Sequence, residues 1–531
     1  MTSRTRVLVA GAVVTAVGLT AAGMGVANAA TDPPPLSFTR AAASVVAERY
    51  VWGDESYLNF DLGVHVIAGK DPFEIRAARK SYADPIVAEQ VVVKNGKKKN
   101  VALPAGMVTG WGGLKDFTAV TIKNAAGAEV ASYTTDFCPN SYESARTRRD
   151  APAETPYPQG CSGDNPFTLG SVWGIQAGWN APTSSLPRTG DVQMPDGDYT
   201  ATVTLGKAYR DYFKIAADSA TQTVNVKVET IDEGQGARSA KAPESFKAKA
   251  KAARAGDDPN QAAAVAEHSE HAGQGDESRQ ISAYKPEFRP PAKKPKAVKA
   301  ASIPKGPRPD LRSLPAWGIS LSQEEDGKSY VNFGATVWNG GTSPLLVDGF
   351  RQTGTELMDA YQYFFDAKGK EVGSVAAGTM EWDAREGHRH WHFTDFAQYN
   401  LLSSDKKQAV RSGKEAFCLV NTDAVDYTVP NAKWRPENTD LSSSCGQNTA
   451  VAVREVLDIG NGDTYSQQRP GQSFEITDLP NGTYYIEVKA NPVNRLSEVS
   501  TTNNTSLRKI VLGGTPTERT LEVPPVNGIE G

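Results

Sequence analysis

Apolar and polar positions alternate with a period of two along much of this chain, and helical periodicity is scarce. Runs such as Ala201 to Leu205 and Thr221 to Val228 fit half-buried strands, bounded by Gly, Pro and Asn/Asp turns. The same grammar returns after residue 309 with more aromatic residues. The predicted fold is therefore all-β, with two antiparallel β-sandwich-like domains. The stretches starting at Asp191 and Phe474 share an order: a Pro-Asp-Gly or Pro-Asn-Gly turn, an aromatic strand, a connection and a last strand. A duplicated sandwich would explain this, and so would the hairpin grammar common to antiparallel sandwiches.

Three stretches break the pattern. Residues 1–29 combine Arg4 and Arg6, an apolar run from Val7 and an Ala27-Asn28-Ala29 cleavage site, which predicts a secretory signal peptide. Residues 231–308 are rich in Lys, Ala and Pro and poor in aromatic and β-branched residues, so a disordered linker is expected there. His268 and His271 fall in it as solvated residues. Residues 516–531 read as a flexible tail. The folded parts are then a β-rich domain at 30–230, with a binding role, and a second domain at 309–515. Leu186-Pro187-Arg188-Thr189-Gly190 resembles a sortase signal, but it is internal and lacks the apolar segment such a signal needs.

Composition narrows the partners. The net charge is -4, and the linker holds an excess of Lys and Arg, so the folded regions are distinctly acidic. Nucleic acid is excluded as a partner, and cationic substrates such as amines are favoured. With the signal removed, no membrane association is expected. Export makes disulfides the default, which pairs Cys138 with Cys161 in the first domain and leaves Cys418 and Cys445 in the second.

The chemistry is expected where the rarest residues gather. Of six histidines, His388, His390 and His392 fall within five positions. On an extended strand, a period of two puts all three imidazoles on one face. Imidazoles suit zinc, copper, iron or nickel, and three of them leave positions open for catalysis. The spacing alone leaves the metal undecided. A metal-dependent oxygenase or hydrolase and a non-enzymatic copper-binding surface protein remain alternatives.

From this cluster through "SGKEAFCLVNT" to "GNGDTYSQQRPGQSFEITDLPNGTYYIEVKANP", the chain resembles the catalytic domain of the lysyl oxidase family. These are secreted copper amine oxidases. The motifs are the H-x-H-x-H triplet, a Lys before an aromatic-Cys-Leu, a D-T-Y before the I-T-D hairpin, and a closing Asn-Asn. The resemblance implies that His388, His390 and His392 bind copper, and that Lys414 and Tyr465 cross-link into lysyl tyrosylquinone. In that chemistry copper and dioxygen oxidise a tyrosine ring, and a nearby lysine amine adds to it. A primary amine, free or on a lysine-containing protein, would then be oxidised to an aldehyde with release of ammonia and hydrogen peroxide. The resemblance further implies a calcium site at Asp310, Leu311, Glu498, Asn503 and Asn504, an all-oxygen set suited to a hard cation. One expected acid there is replaced by Ser500. Gln398 replaces a family His sometimes proposed as the base, which leaves Asp395 as a weak candidate. Cys418 and Cys445 match one of the family's disulfides.

Overall fold

A computed structural model describes residues 34–52, 55–94, 96–161, 165–186, 192–231, 293–324, 327–385, 389–411, 416–436, 445–467 and 473–528. The predicted signal peptide, Pro187 to Gly190, the linker histidines, His388 and Lys414 lie outside these residues. The chain is all-β, as its alternation predicts. Among the described residues the helical elements are Lys207–Phe213 and short 3-10 turns, and no helix is long and apolar enough to cross a membrane.

In the first domain a six-stranded sheet runs Glu55–Asn59, Ser44–Trp52, Thr221–Thr230, Gly197–Leu205, Leu114–Asn124, Glu129–Phe137. It is antiparallel except for one parallel pair, Ser44–Trp52 with Thr221–Thr230. A four-stranded and a three-stranded sheet cover it, and the three enclose one apolar core around Phe73, Phe117, Phe137 and Trp173. Cys138 and Cys161 are bonded at the rim of this domain.

The second domain holds three sheets. One pairs Asn461–Gln467 with Ser329–Asn339 on one side and Asp423–Ala424 on the other. The second runs Ala416–Phe417, His390–Thr394, Glu371–Asp383, Leu357–Phe365, Leu345–Arg351, Ala452–Leu457. The third includes Ala397–Ser403, Gly482–Ala490 and Thr505–Thr515. Their inward side chains, among them Phe333, Phe393, Phe417 and Phe474, fuse into one core. The two stretches alike in sequence form equivalent hairpins. Gly197–Leu205 pairs with Thr221–Thr230, and Gly482–Ala490 with Thr505–Thr515. In each, a tyrosine (Tyr199, Tyr484) donates its hydroxyl to the carbonyl of the proline four residues earlier, at 2.8 Å.

Two boundaries differ from the sequence reading. The described chain includes residues from 293, where Ile303 is buried against Phe364 and Val375 and Lys294 pairs with Asp359. A segment of linker-like composition is thus held by a buried isoleucine, an ion pair and the Val298 N–H, which donates to the Ser374 carbonyl at 3.0 Å. The tail is also engaged: Glu518–Glu522 pairs with Thr505–Thr515, and Val526 packs near Trp317 and Trp338.

The domains also touch directly. Phe167 joins Leu314, Trp317, Trp338 and Val425 in one apolar cluster, and Tyr157 and Val172 join Ala424 and Tyr427 in another. The Leu169 and Gly170 N–H groups both donate to the Val425 carbonyl, at 2.7 and 3.2 Å, and the Tyr427 N–H donates to the Gly170 carbonyl at 2.9 Å. A Cβ on Gly170 would come within 2.1 Å of the Asp426 carboxylate, so this close approach requires glycine.

Candidate functional site

The histidine run is only partly a strand. His390–Thr394 is extended, but Arg389 takes a φ of +29°, and its N–H donates to the Arg385 carbonyl at 3.3 Å. The condition for all three imidazoles to share one face, an extended run, ends at Arg389: the chain turns immediately before His390. Trp391 and Phe393 point into the core, and alternation puts His390 and His392 on the opposite face. Their rings meet edge-to-face with centroids 4.6 Å apart. His392 is buried and His390 half-buried.

Asp383 lies opposite His390 in the antiparallel ladder, and its Oδ2 faces His392 Nδ1 at 3.5 Å. Arg385 Nε donates to both Asp383 oxygens, at 2.9 and 3.0 Å. Burial alone would raise the pKa of Asp383. Hydrogen bonds from Arg385 and the charge of His392 outweigh it and hold the carboxyl well below the usual carboxylate range. A carboxylate facing Nδ1 favours the tautomer whose Nε2 carries the lone pair, the form a metal takes.

Tyr465 is buried on Asn461–Gln467, opposite Ala335. Its ring stands edge-on to Phe417 at 4.8 Å, and its hydroxyl donates to the Cys418 carbonyl. Ala416–Phe417 pairs directly with the histidine strand, Phe417 opposite Phe393. The next step of that register puts Cys418 opposite His392. Cys418 is bonded to Cys445, whose carbonyl accepts from the Trp391 N–H at 3.1 Å. The histidine strand, the strand entered from Lys414, and the tyrosine therefore meet at one disulfide. Lys414 lies two residues before Ala416, outside the described residues, as does His388. Among the described residues no group of three or more His, Cys, Asp or Glu is close enough to hold a metal. The visible donor set, two imidazoles with one backed by a carboxylate, suits the copper that the family resemblance implies.

The residues predicted for calcium also come together. The Leu311 N–H donates to Glu498 Oε2 at 2.8 Å, Asn504 Nδ2 to Glu498 Oε1 at 2.9 Å, and Asn503 Nδ2 to both Asp310 oxygens at 3.2 Å. The amide oxygens of Asn503 and Asn504 are buried and make no hydrogen bond among the described residues. Burial raises the Glu498 carboxyl, opposed by the amides of Asn504 and Asn491. Arg312 also pairs with Asp310, at 2.8 Å.

Asp395 is committed elsewhere, in an ion pair with Arg495 at 2.7 Å. Gln398 lies on the third sheet, opposite Lys489. Sequence reasoning passed over Asp383, and over two buried carboxylates near the tyrosine. Glu455 accepts from the Leu419 N–H at 3.0 Å, and Asp463 shares the inner face of the tyrosine strand. The acid that ends Met-Glu-Trp-Asp, shortly before the histidines, was the available signal for Asp383.

Fold and site define an all-β domain that gathers imidazoles and a buried tyrosine around one disulfide. Residues 362–520 match the family model described as Lysyl oxidase. Mouse (Mus musculus) lysyl oxidase homolog 4 is 28% identical over 129 residues, 24% of this chain and 15% of that protein. Zebrafish (Danio rerio) lysyl oxidase homolog 3B is 29% identical over 129 residues, 24% of this chain and 14% of its own length. Human (Homo sapiens) protein-lysine 6-oxidase is 30% identical over 125 residues, covering 23% of this chain and 26% of that protein. The chain thus spans between about a seventh and a quarter of these relatives.

Proposed function

We propose that this chain is an exported copper amine oxidase. A primary amine, dioxygen and water would give an aldehyde, ammonia and hydrogen peroxide. His388, His390 and His392 are the copper ligands in this reading, and Lys414 and Tyr465 the precursors of a lysyl tyrosylquinone. Bound copper supplies one-electron chemistry with dioxygen, and the quinone supplies an electron sink. The observation that carries the reading is the meeting of His392, Tyr465 and the strand entered from Lys414 at Cys418.

The chain's own residues prepare this chemistry. Asp383 fixes the His392 ring and its tautomer. The Cys418 carbonyl holds the phenol of Tyr465 in one orientation, and burial keeps bulk water from the ring. The acidic folded regions favour cationic amines, among them lysine side chains of proteins. Residues 1–29 direct export, and two bonded disulfides accord with an oxidising compartment. Asp310, Leu311, Glu498, Asn503 and Asn504 take calcium in this reading, with the two amides turning their oxygens toward the ion.

Peptide mass spectrometry of protein matured with copper and dioxygen tests the reading. A Lys414–Tyr465 cross-linked peptide is expected, with a visible absorbance that a hydrazine bleaches and peroxide formed from primary amines. Copper-loaded protein with neither adduct nor peroxide would sink it.

A further inference from the structure

The strand Asn461–Gln467 reads Asn-Gly-Asp-Thr-Tyr-Ser-Gln, and all seven residues are buried although none is aliphatic. A strand covered on both faces ordinarily reads as a Val/Ile/Leu run. Its even positions face Trp317 and the first domain, where Thr464 shares a 2.6 Å hydroxyl bond with Thr336. Its odd positions face the interior: Asp463, Tyr465 and Gln467 lie opposite Val337, Ala335 and Phe333, all core residues. Gln467 is fully buried, and neither its Nε2 nor its Oε1 makes a hydrogen bond among the described residues. An amide buried in this way is costly, and leucine would fill the space without that cost. Such a group points to a partner that is absent among the described residues.

Its neighbour on that face supplies one. Two strand positions separate Cα atoms by about 6.7 Å, so Gln467 flanks Tyr465 on the same face of the strand. Tyr465 donates its O–H to Cys418. In the function proposed above, on which this inference rests, phenol and dioxygen give an ortho-quinone and water. A quinone has no O–H, so its oxygen and the Cys418 carbonyl would face each other as two acceptors. We infer that Gln467 is the positioning residue for the oxidised ring: its Nε2 donates to a quinone oxygen, which exchanges the bond to Cys418 for one to Gln467. Gln467 itself forms and breaks no covalent bond.

The test compares wild type with Gln467→Leu in two states. Before copper is added, the variant should melt at the same or a higher temperature, because an unpartnered amide has been removed. After copper and dioxygen, quinone should form about tenfold more slowly, the value of one hydrogen bond. Its carbonyl stretch in the resonance Raman spectrum should move to higher wavenumber. A lower melting temperature or failure to fold before copper would overturn the inference, because it would mean the amide serves the resting fold. An unchanged rate and carbonyl band would also overturn it, while the quinone itself still stood. Wild type that forms no quinone would overturn the function and this inference together.

Discussion

Asp383 carries two partners of different character. Arg385 satisfies its charge from solvent, and His392 meets it from the buried side. Replacing it by asparagine keeps the shape and one acceptor for Arg385 but removes the charge behind the imidazole. Residues behind a metal-binding histidine typically contribute 10–100-fold in metal affinity. Asp383→Asn should therefore weaken copper binding by about that factor, measured by competition with a calibrated chelator, with the near-ultraviolet circular dichroism unchanged. Undiminished affinity would reduce Asp383 to a surface anchor for Arg385. Nearby, Arg389 shows why the histidine triplet was easier to locate than to shape. The rarity of histidine marks the cluster at once, but nothing in Gly-His-Arg-His announces that a non-glycine residue takes a left-handed turn there.

At the scale of elements, the disulfide joins parts that sheet pairing alone would leave loosely tied. Cys445 holds Trp391 through its carbonyl, and Cys418 holds Tyr465 through its own. Replacing both cysteines by serine should lower stability by about 3–4 kcal/mol in a denaturant titration, the chain-entropy value for a loop this long. The same variant should form quinone more slowly than wild type, because the phenol loses its fixed acceptor. Stability that falls while the rate of quinone formation holds would separate the staple from the chemistry. The tyrosine strand also marks the limit of sequence reading. Gly-Asn-Gly-Asp reads as turn chemistry, and no apolar alternation follows it. It becomes a central strand because Ser329–Asn339 and Asp423–Ala424 pair with it on both sides. That pairing is non-local and invisible to a window of ten residues. By contrast, Gly482–Ala490 alternates so regularly that its strand was legible.

For the molecule as a whole, composition divides the chain where packing does not. A long Lys- and Pro-rich segment suggested independent domains, and the first was expected only to bind. Instead, Asn165 of the first domain donates to Thr336 at 3.1 Å, Thr336 bonds Thr464, and Thr464 adjoins Tyr465 on its strand. Trp434 stacks on Tyr157 with centroids 6.1 Å apart, beneath the Arg76 guanidinium. Trp434, Val425 and Tyr427 all lie between Cys418 and Cys445, so the first domain clasps the loop that the disulfide closes. The linker is then not what keeps the halves together. Cutting it with a lysine-specific protease should leave both fragments co-eluting in size-exclusion chromatography. Gly170→Val, whose side chain would collide with Asp426 and Thr428, should let the cut fragments separate and expose Trp317 and Trp338 to fluorescence quenchers. Fragments of the unsubstituted protein that part on cutting would show that the tether, and not the interface, carries the association.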